Sequence, residues 1–177
     1  MGHSESKNAA FIPLKIAVMT ISDSRTEDND KSGNLLVERL LKTGHQLAEK
    51  IIVPDNRYQI RAVISRWIAD PAVETIITTG GTGLTGRDIT PEAVTPLFDK
   101  AIEGFGEVFR ALSYDLIKTS TIQSRALAGL ANGTPIFCLP GSPGACKDGW
   151  DGIIQHQLDM RHKPCNLVEM MPRFMEV

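Results

Sequence analysis

The chain has little of what would place it quickly. Its 177 residues include only three cysteines, Cys138, Cys146 and Cys165. They are odd in number and form no C-x-x-C pair, which argues against a disulfide framework; they read as small hydrophobes in a reduced, cytoplasmic protein. No apolar run approaches the roughly 20 residues that cross a bilayer. The formal net charge of -2 leaves no electrostatic footprint for nucleic acid. The opening residues, MGHSESKNAAFIP, have neither a charged n-region nor an apolar h-region, so they are not a signal peptide. Aromatic residues are few, and the stripes around Trp67 and Phe105/Phe109 are expected in the core or at a subunit interface. His3, His45, His156 and His162 show no metal-ligand spacing and are expected at the solvent surface. No repeat has a solenoid period. The length suits one domain, with residues 1–13 a flexible lead-in and residues 14–177 the folded unit.

What the chain does have is alternation. Apolar, β-branched runs at residues 14–20 (LKIAVMT), 46–53, 74–79 and 134–139 (TPIFCL) predict strands. Between them lie helical patterns: one capped by Ser32 and stopped by Gly44, one from about residue 56 to Pro71, and a short one over 91–99. Further helices are predicted at 104–116, 119–130 and 145–161, with an irregular tail from Pro164. Alternation of this kind means an α/β domain: a three-layer α/β/α, Rossmann-like fold with a mainly parallel sheet and helices on both faces. All four strands end in polar loops, ISDSR, VPDN, TTGGTG and LPGSPG. Ligands of open α/β sheets bind at that edge.

The stretch 74–91, ETIITTGGTGLTGRDITP, organises the rest. A buried strand runs into Gly80, Gly81, Thr82 and Gly83, a backbone N–H nest suited to phosphate. Thr79 adds a hydroxyl, and Thr90-Pro91 opens a helix. Residues 81–86 also fit G-x-G-x-x-G, with Glu103 downstream, but the helix starts too late for dinucleotide binding and no Gly-Lys-Ser/Thr follows for a Walker loop. Asp88 suits an Asx turn and Asp55 a helix cap when each is taken alone. Together, at adjacent sheet edges, they are the donor type that Mg²⁺ selects. Arg25 and Arg87 are candidate phosphate partners, Ser22 and Ser142 candidate hydroxyl donors. Ser22 and Ser24 lack a general base, which argues against a hydrolase.

ITTGGTGLTGRDITPEA, with GFGEVFR downstream and LPGSP after the last strand, resembles the molybdenum cofactor biosynthesis family. The match is nearest the MoaB branch of the MoaB/Mog family, related to the G domains of gephyrin and its plant counterpart, and covers residues 14–166. The resemblance implies a MogA-like molybdopterin-binding domain. It also implies an adenylyltransferase that joins the molybdopterin phosphate to AMP from Mg-ATP, releasing pyrophosphate before metal insertion. Asp88 and Asp55 fall on aspartates held to act through Mg²⁺ and nucleotide, and Pro140, Gly141 and Ser142 on the pterin-side loop. Gly144-Ala145-Cys146 departs from the lysine-containing stretch of the MogA branch. The family further implies self-association to a trimer or hexamer. A non-catalytic molybdopterin carrier or assembly scaffold is the alternative; neither reading involves nucleic acid or a membrane.

Overall fold

The computed structural model of the protein describes residues 9–176. Six strands form one sheet in the order β2-β1-β3-β6-β5-β4. Strands β1 (Lys15–Ile21), β2 (Gln46–Val53), β3 (Thr75–Thr79) and β6 (Thr134–Leu139) run parallel. β5 (Leu127–Ala131) is antiparallel to β6, and the two-residue β4 (Lys100–Ala101) is antiparallel to β5.

The apolar runs are continuous because both faces of the sheet are covered. On one face Ile16, Val18, Ile77 and Phe137 pack with Leu36 and Leu40 of α1 (Lys31–Lys42), Phe105 and Phe109 of α4 (Glu103–Ile117) and Trp150. On the other, Ala17, Met19, Ile76 and Ile136 meet Ile60, Ile64 and Trp67 of α2 (Arg57–Ala69), together with Ala93 and Val94 of α3 (Thr90–Val94). Fully burying each large side chain contributes about 1.5–3 kcal/mol. These two cores make the three-layer α/β/α arrangement expected from the alternation.

Several local expectations are corrected. The predicted helix over 119–130 is instead a 3₁₀ segment, Lys118–Gln123, followed by β5. Asn132 and Gly133 both have positive φ, +48° and +77°, and turn β5 into β6 as a two-residue hairpin. Asn-Gly is the residue pair that such a turn favours, and it outweighs the helix propensity of the alanines before it. α1 is capped by Asp30, whose carboxylate accepts from Gly33 N–H at 2.9 Å, not by Ser32. α2 is capped by Asn56, not Asp55. α3 has no side-chain cap, and the chain continues as a 3₁₀ turn, Thr95–Leu97.

The last long helix begins at α5 (Pro143–Gly149), passes through a π-helical stretch, Trp150–Ile154, and ends with α6 (Gln155–Gln157). The tail, expected to be irregular, holds α7 (Leu167–Met170) and a 3₁₀ turn, Met171–Arg173. His45, expected in solvent, is buried: its Nδ1 accepts from Leu14 N–H at 3.1 Å, and the Phe11 ring lies 4.9 Å away. Phe11 thus docks a lead-in expected to be flexible; residues 1–8, with His3, lie outside the described residues. Among the described residues no helix is long and apolar enough to cross a membrane.

Candidate functional site

Register brings the loops level. Thr20 pairs with Thr79, Ile21 with Val53, and Thr79 with Leu139, so β1, β2, β3 and β6 deliver their polar loops to one rim. The chain leaves β1 for β2 on one side and returns to β3 on the other. That reversal is where an open α/β sheet forms a crevice. A cleft of about 580 Å³ opens there. Ser22, Asp55, Thr79, Gly80, Gly81, Thr82, Gly83, Asp88, Pro140, Gly141 and Ser142 all line it, as do Arg25 and Arg87. Loops from four strands therefore meet at a single site.

The glycine loop is forced by crowding. Gly80 has φ +107°, and a Cβ there would collide with the Ile21 carbonyl oxygen. A Cβ on Gly81 would meet the Thr90 hydroxyl and approach Asp55 Oδ1 at 3.2 Å. Thr90 closes the loop, donating from its hydroxyl to Gly80 O at 2.8 Å and from its N–H to Gly81 O at 2.9 Å.

Three expected ligand hydroxyls have structural partners, Ser22 Oγ among them, which accepts from the Ser24 and Arg25 N–H groups at 3.2 Å each. Thr79 Oγ1 donates to Pro140 O at 2.9 Å, and Ser142 Oγ accepts from Ala145 N–H at 3.2 Å as the cap of α5. Ser32 adds a bond to Gly141 O at 2.8 Å. The Pro140 loop is thereby fixed against β3 and α1.

The carboxylates differ in environment. Asp55 and Asp23 are reciprocally bonded, each carboxylate accepting from the other's backbone N–H at 3.1 Å. Burial pushes the Asp55 carboxyl up from its ordinary value, and the charges of Asp23 and Asp88 push it further. The Arg87 guanidinium holds Asp23 below its ordinary value, with Nε donating to Oδ2 at 2.8 Å. Burial alone would raise Asp88, but the Thr85 hydroxyl at 2.6 Å and the Thr85 and Gly83 N–H groups hold it below its usual range. Asp55 thus sits in concentrated negative charge, while Asp88 is kept ionised.

Asp55 and Asp88 supply the hard oxygen donors that suit Mg²⁺, which binds through one or two carboxylates and completes its shell with water and substrate phosphates. Among the described residues no group of three His, Cys, Asp or Glu side chains is placed to hold a metal unaided. Buried Cys146 and Cys138, their thiols pushed up to about 11 and about 12, are not nucleophiles.

Sequence reasoning missed Asp23 and the opposite wall. Asp23 could have been found from its place in a loop after a buried strand. The wall, built by Phe109, Ser113 and Ile117 of α4 and by Ser120, Thr121 and Gln123 of the 3₁₀ segment, carries no motif beyond Phe109 in GFGEVFR, and its 3₁₀ part was hidden by the mistaken helix over 119–130.

Comparison with known proteins agrees with this geometry. Residues 17–160 match the family described as a probable molybdopterin binding domain. Molybdenum cofactor biosynthesis protein B of Escherichia coli K12 is 54% identical over 156 residues, covering 88% of this chain and 92% of that one. A crystal structure of a molybdenum cofactor biosynthesis protein B superposes with a TM-score of 0.82 at 40% identity, covering 85% and 94% of the two chains. That of the tungsten cofactor synthesizing protein MoaB from Pyrococcus furiosus superposes at 0.70 with 41% identity, covering 80% and 90%. Matched by the family model over residues 17–160 and by these relatives over most of its length, the chain belongs to the molybdopterin-binding domain family of molybdenum cofactor biosynthesis proteins, in its MoaB branch.

Proposed function

We propose that the cleft binds molybdopterin and Mg-ATP together and transfers AMP to the terminal phosphate of the pterin. The observation that carries this reading is the convergence of a phosphate-type glycine nest, two carboxylates and a rigid second loop, Pro140-Gly141-Ser142, on one open cleft of about 580 Å³. A pterin phosphate oxygen attacks the α-phosphorus of ATP, the bond from that phosphorus to the β-bridging oxygen breaks, and pyrophosphate leaves. Such chemistry requires positioning and charge stabilisation, not a protein nucleophile.

The glycine-loop N–H groups cradle one phosphate, and Arg87 and Arg25 face the developing negative charge. Asp55 and Asp88 would hold Mg²⁺, which when bound neutralises phosphate charge. Burial raises Asp55 first and the charges of Asp23 and Asp88 add to it; a cation there would offset the second cause. The reaction is tested by pyrophosphate release from purified molybdopterin and Mg-ATP. Release that depends on all three components is expected. A protein that binds molybdopterin yet shows no Mg-dependent heat of ATP binding would be the carrier instead. The presence of both Asp55 and Asp88 favours the enzyme, since a carrier requires neither.

A further inference from the structure

The loop that bears Asp88 has no regular secondary structure between residues 82 and 89. Within itself it is held by the Thr85–Asp88 bonds and, at its base, by Thr90. Arg87 ties the loop to Asp23 after β1, and three further bonds come from Arg125, which precedes β5 on the opposite side of the cleft. The Arg125 backbone N–H donates to Thr82 O at 3.0 Å. Its guanidinium reaches both ends of the loop's outer half: Nε donates to Gly83 O at 2.8 Å and Nη2 to Asp88 O at 2.9 Å. Nη1 is paired with Glu92 of α3, so the fork itself is anchored to a helix. All three guanidinium nitrogens are engaged, in a planar geometry that a lysine ammonium does not reproduce.

Neighbouring Gln123 and Ser124 line the cleft. Arg125 therefore joins the wall made by α4 and the 3₁₀ segment to the wall made by the glycine loop, and fixes the distance between them.

We infer that Arg125 is a positioning residue for Asp88: its fork brackets the Gly83–Asp88 turn and sets where the Asp88 carboxylate stands against the opposite wall. This rests on the adenylyl-transfer reading only for its effect on rate. The bracketing itself is a property of the loop, and hydrogen exchange measures it without any reaction.

The test uses the full chain with Arg125→Ala and Arg125→Lys. Amide exchange in residues 82–89 is expected to rise at least about tenfold in Arg125→Ala and less in Arg125→Lys, with the central strands unchanged, because local opening is independent of global unfolding. Pyrophosphate release should fall by about 10²-fold through kcat, the scale of a misplacement of about 1 Å, while the KM for molybdopterin moves by less than about threefold. Should Arg125→Ala fail to fold, Arg125→Lys decides on the same two readouts.

Unchanged exchange in residues 82–89, or a rise spread evenly over the whole chain, would overturn the inference. So would a loss confined to the KM for molybdopterin. If the wild-type protein releases no pyrophosphate, adenylyl transfer falls; a localised rise in exchange would still establish the bracket.

Discussion

The two walls of the cleft are built on different principles. The first, from the ends of β1, β2 and β3, is dense in directional bonds: the reciprocal Asp23–Asp55 pair, the Arg87–Asp23 bridge and the closure by Thr90. The second, from the end of α4 and the 3₁₀ segment, presents hydroxyls and apolar side chains, and its outer residues Leu116, Ile117 and Ile122 are more than half exposed. A wall crowded with charge and fixed N–H groups suits phosphates. A softer wall, with few charges and mixed polarity, suits the less charged body of a ligand. Under the proposed adenylyl transfer, nucleotide phosphates would lie against the first wall and the pterin's ring system against the second.

The largest effect that could break this contrast lies on the first wall. Asp88→Asn should lower pyrophosphate release by at least about 10²-fold with molybdopterin binding retained, since removing one group that stabilises transition-state charge costs on that order. Full activity in that variant would reject the metal role.

Next comes Gly80→Ala. Its positive φ and the Ile21 carbonyl oxygen leave no room for a methyl group, so about 1–3 kcal/mol of stability should be lost, read from the denaturation midpoint, together with ligand binding. An unchanged midpoint would mean that the loop is more pliable than its crowding implies.

A comparable effect is expected away from both walls. Burial pushes His45 down to about 4, while the Asp159 charge opposes this weakly. The histidine folds neutral, so its contribution is present above pH 6.5 and lost as the pH falls through about 4. It amounts to at most about 3 kcal/mol. In His45→Gln the stability–pH curve should flatten between those limits; an unchanged acid limb would place the loss elsewhere.

The smallest effect should come from the second wall. Gln123→Ala is expected to weaken molybdopterin binding by about 1 kcal/mol, the scale of one hydrogen bond, and to leave Mg-ATP binding alone. If the two ligands respond in the reverse way, the assignment of the walls is inverted.

The same contrast explains what was legible in the sequence. The parallel strands and the glycine loop announce themselves locally, as β-branched runs and as glycines where no Cβ fits. Those signals, the donor chemistry of the loops and the family resemblance together named thirteen candidates, Arg25 and Arg87 included, and all thirteen line one cleft. The second wall depends on contacts between distant segments. Its segment Lys118–Gln123 is neither a long helix nor a strand, and the alanines of β5 suggested a helix until the Asn132-Gly133 turn is given its weight. His45 was misjudged for a related reason: burial by Phe11 and Trp150 is a tertiary fact, invisible in the local pattern TGHQ. Caps were displaced by one or two positions, because Asp30 and Asn56 compete with neighbours of similar chemistry.

A single-turnover experiment with ATP labelled at the α-phosphate, the protein in excess over molybdopterin, addresses the shared cleft most directly. Label should pass to the pterin in one-to-one amount, with Mg²⁺ required and one pyrophosphate formed per transfer. Molybdopterin that binds stoichiometrically yet acquires no label would contradict the account.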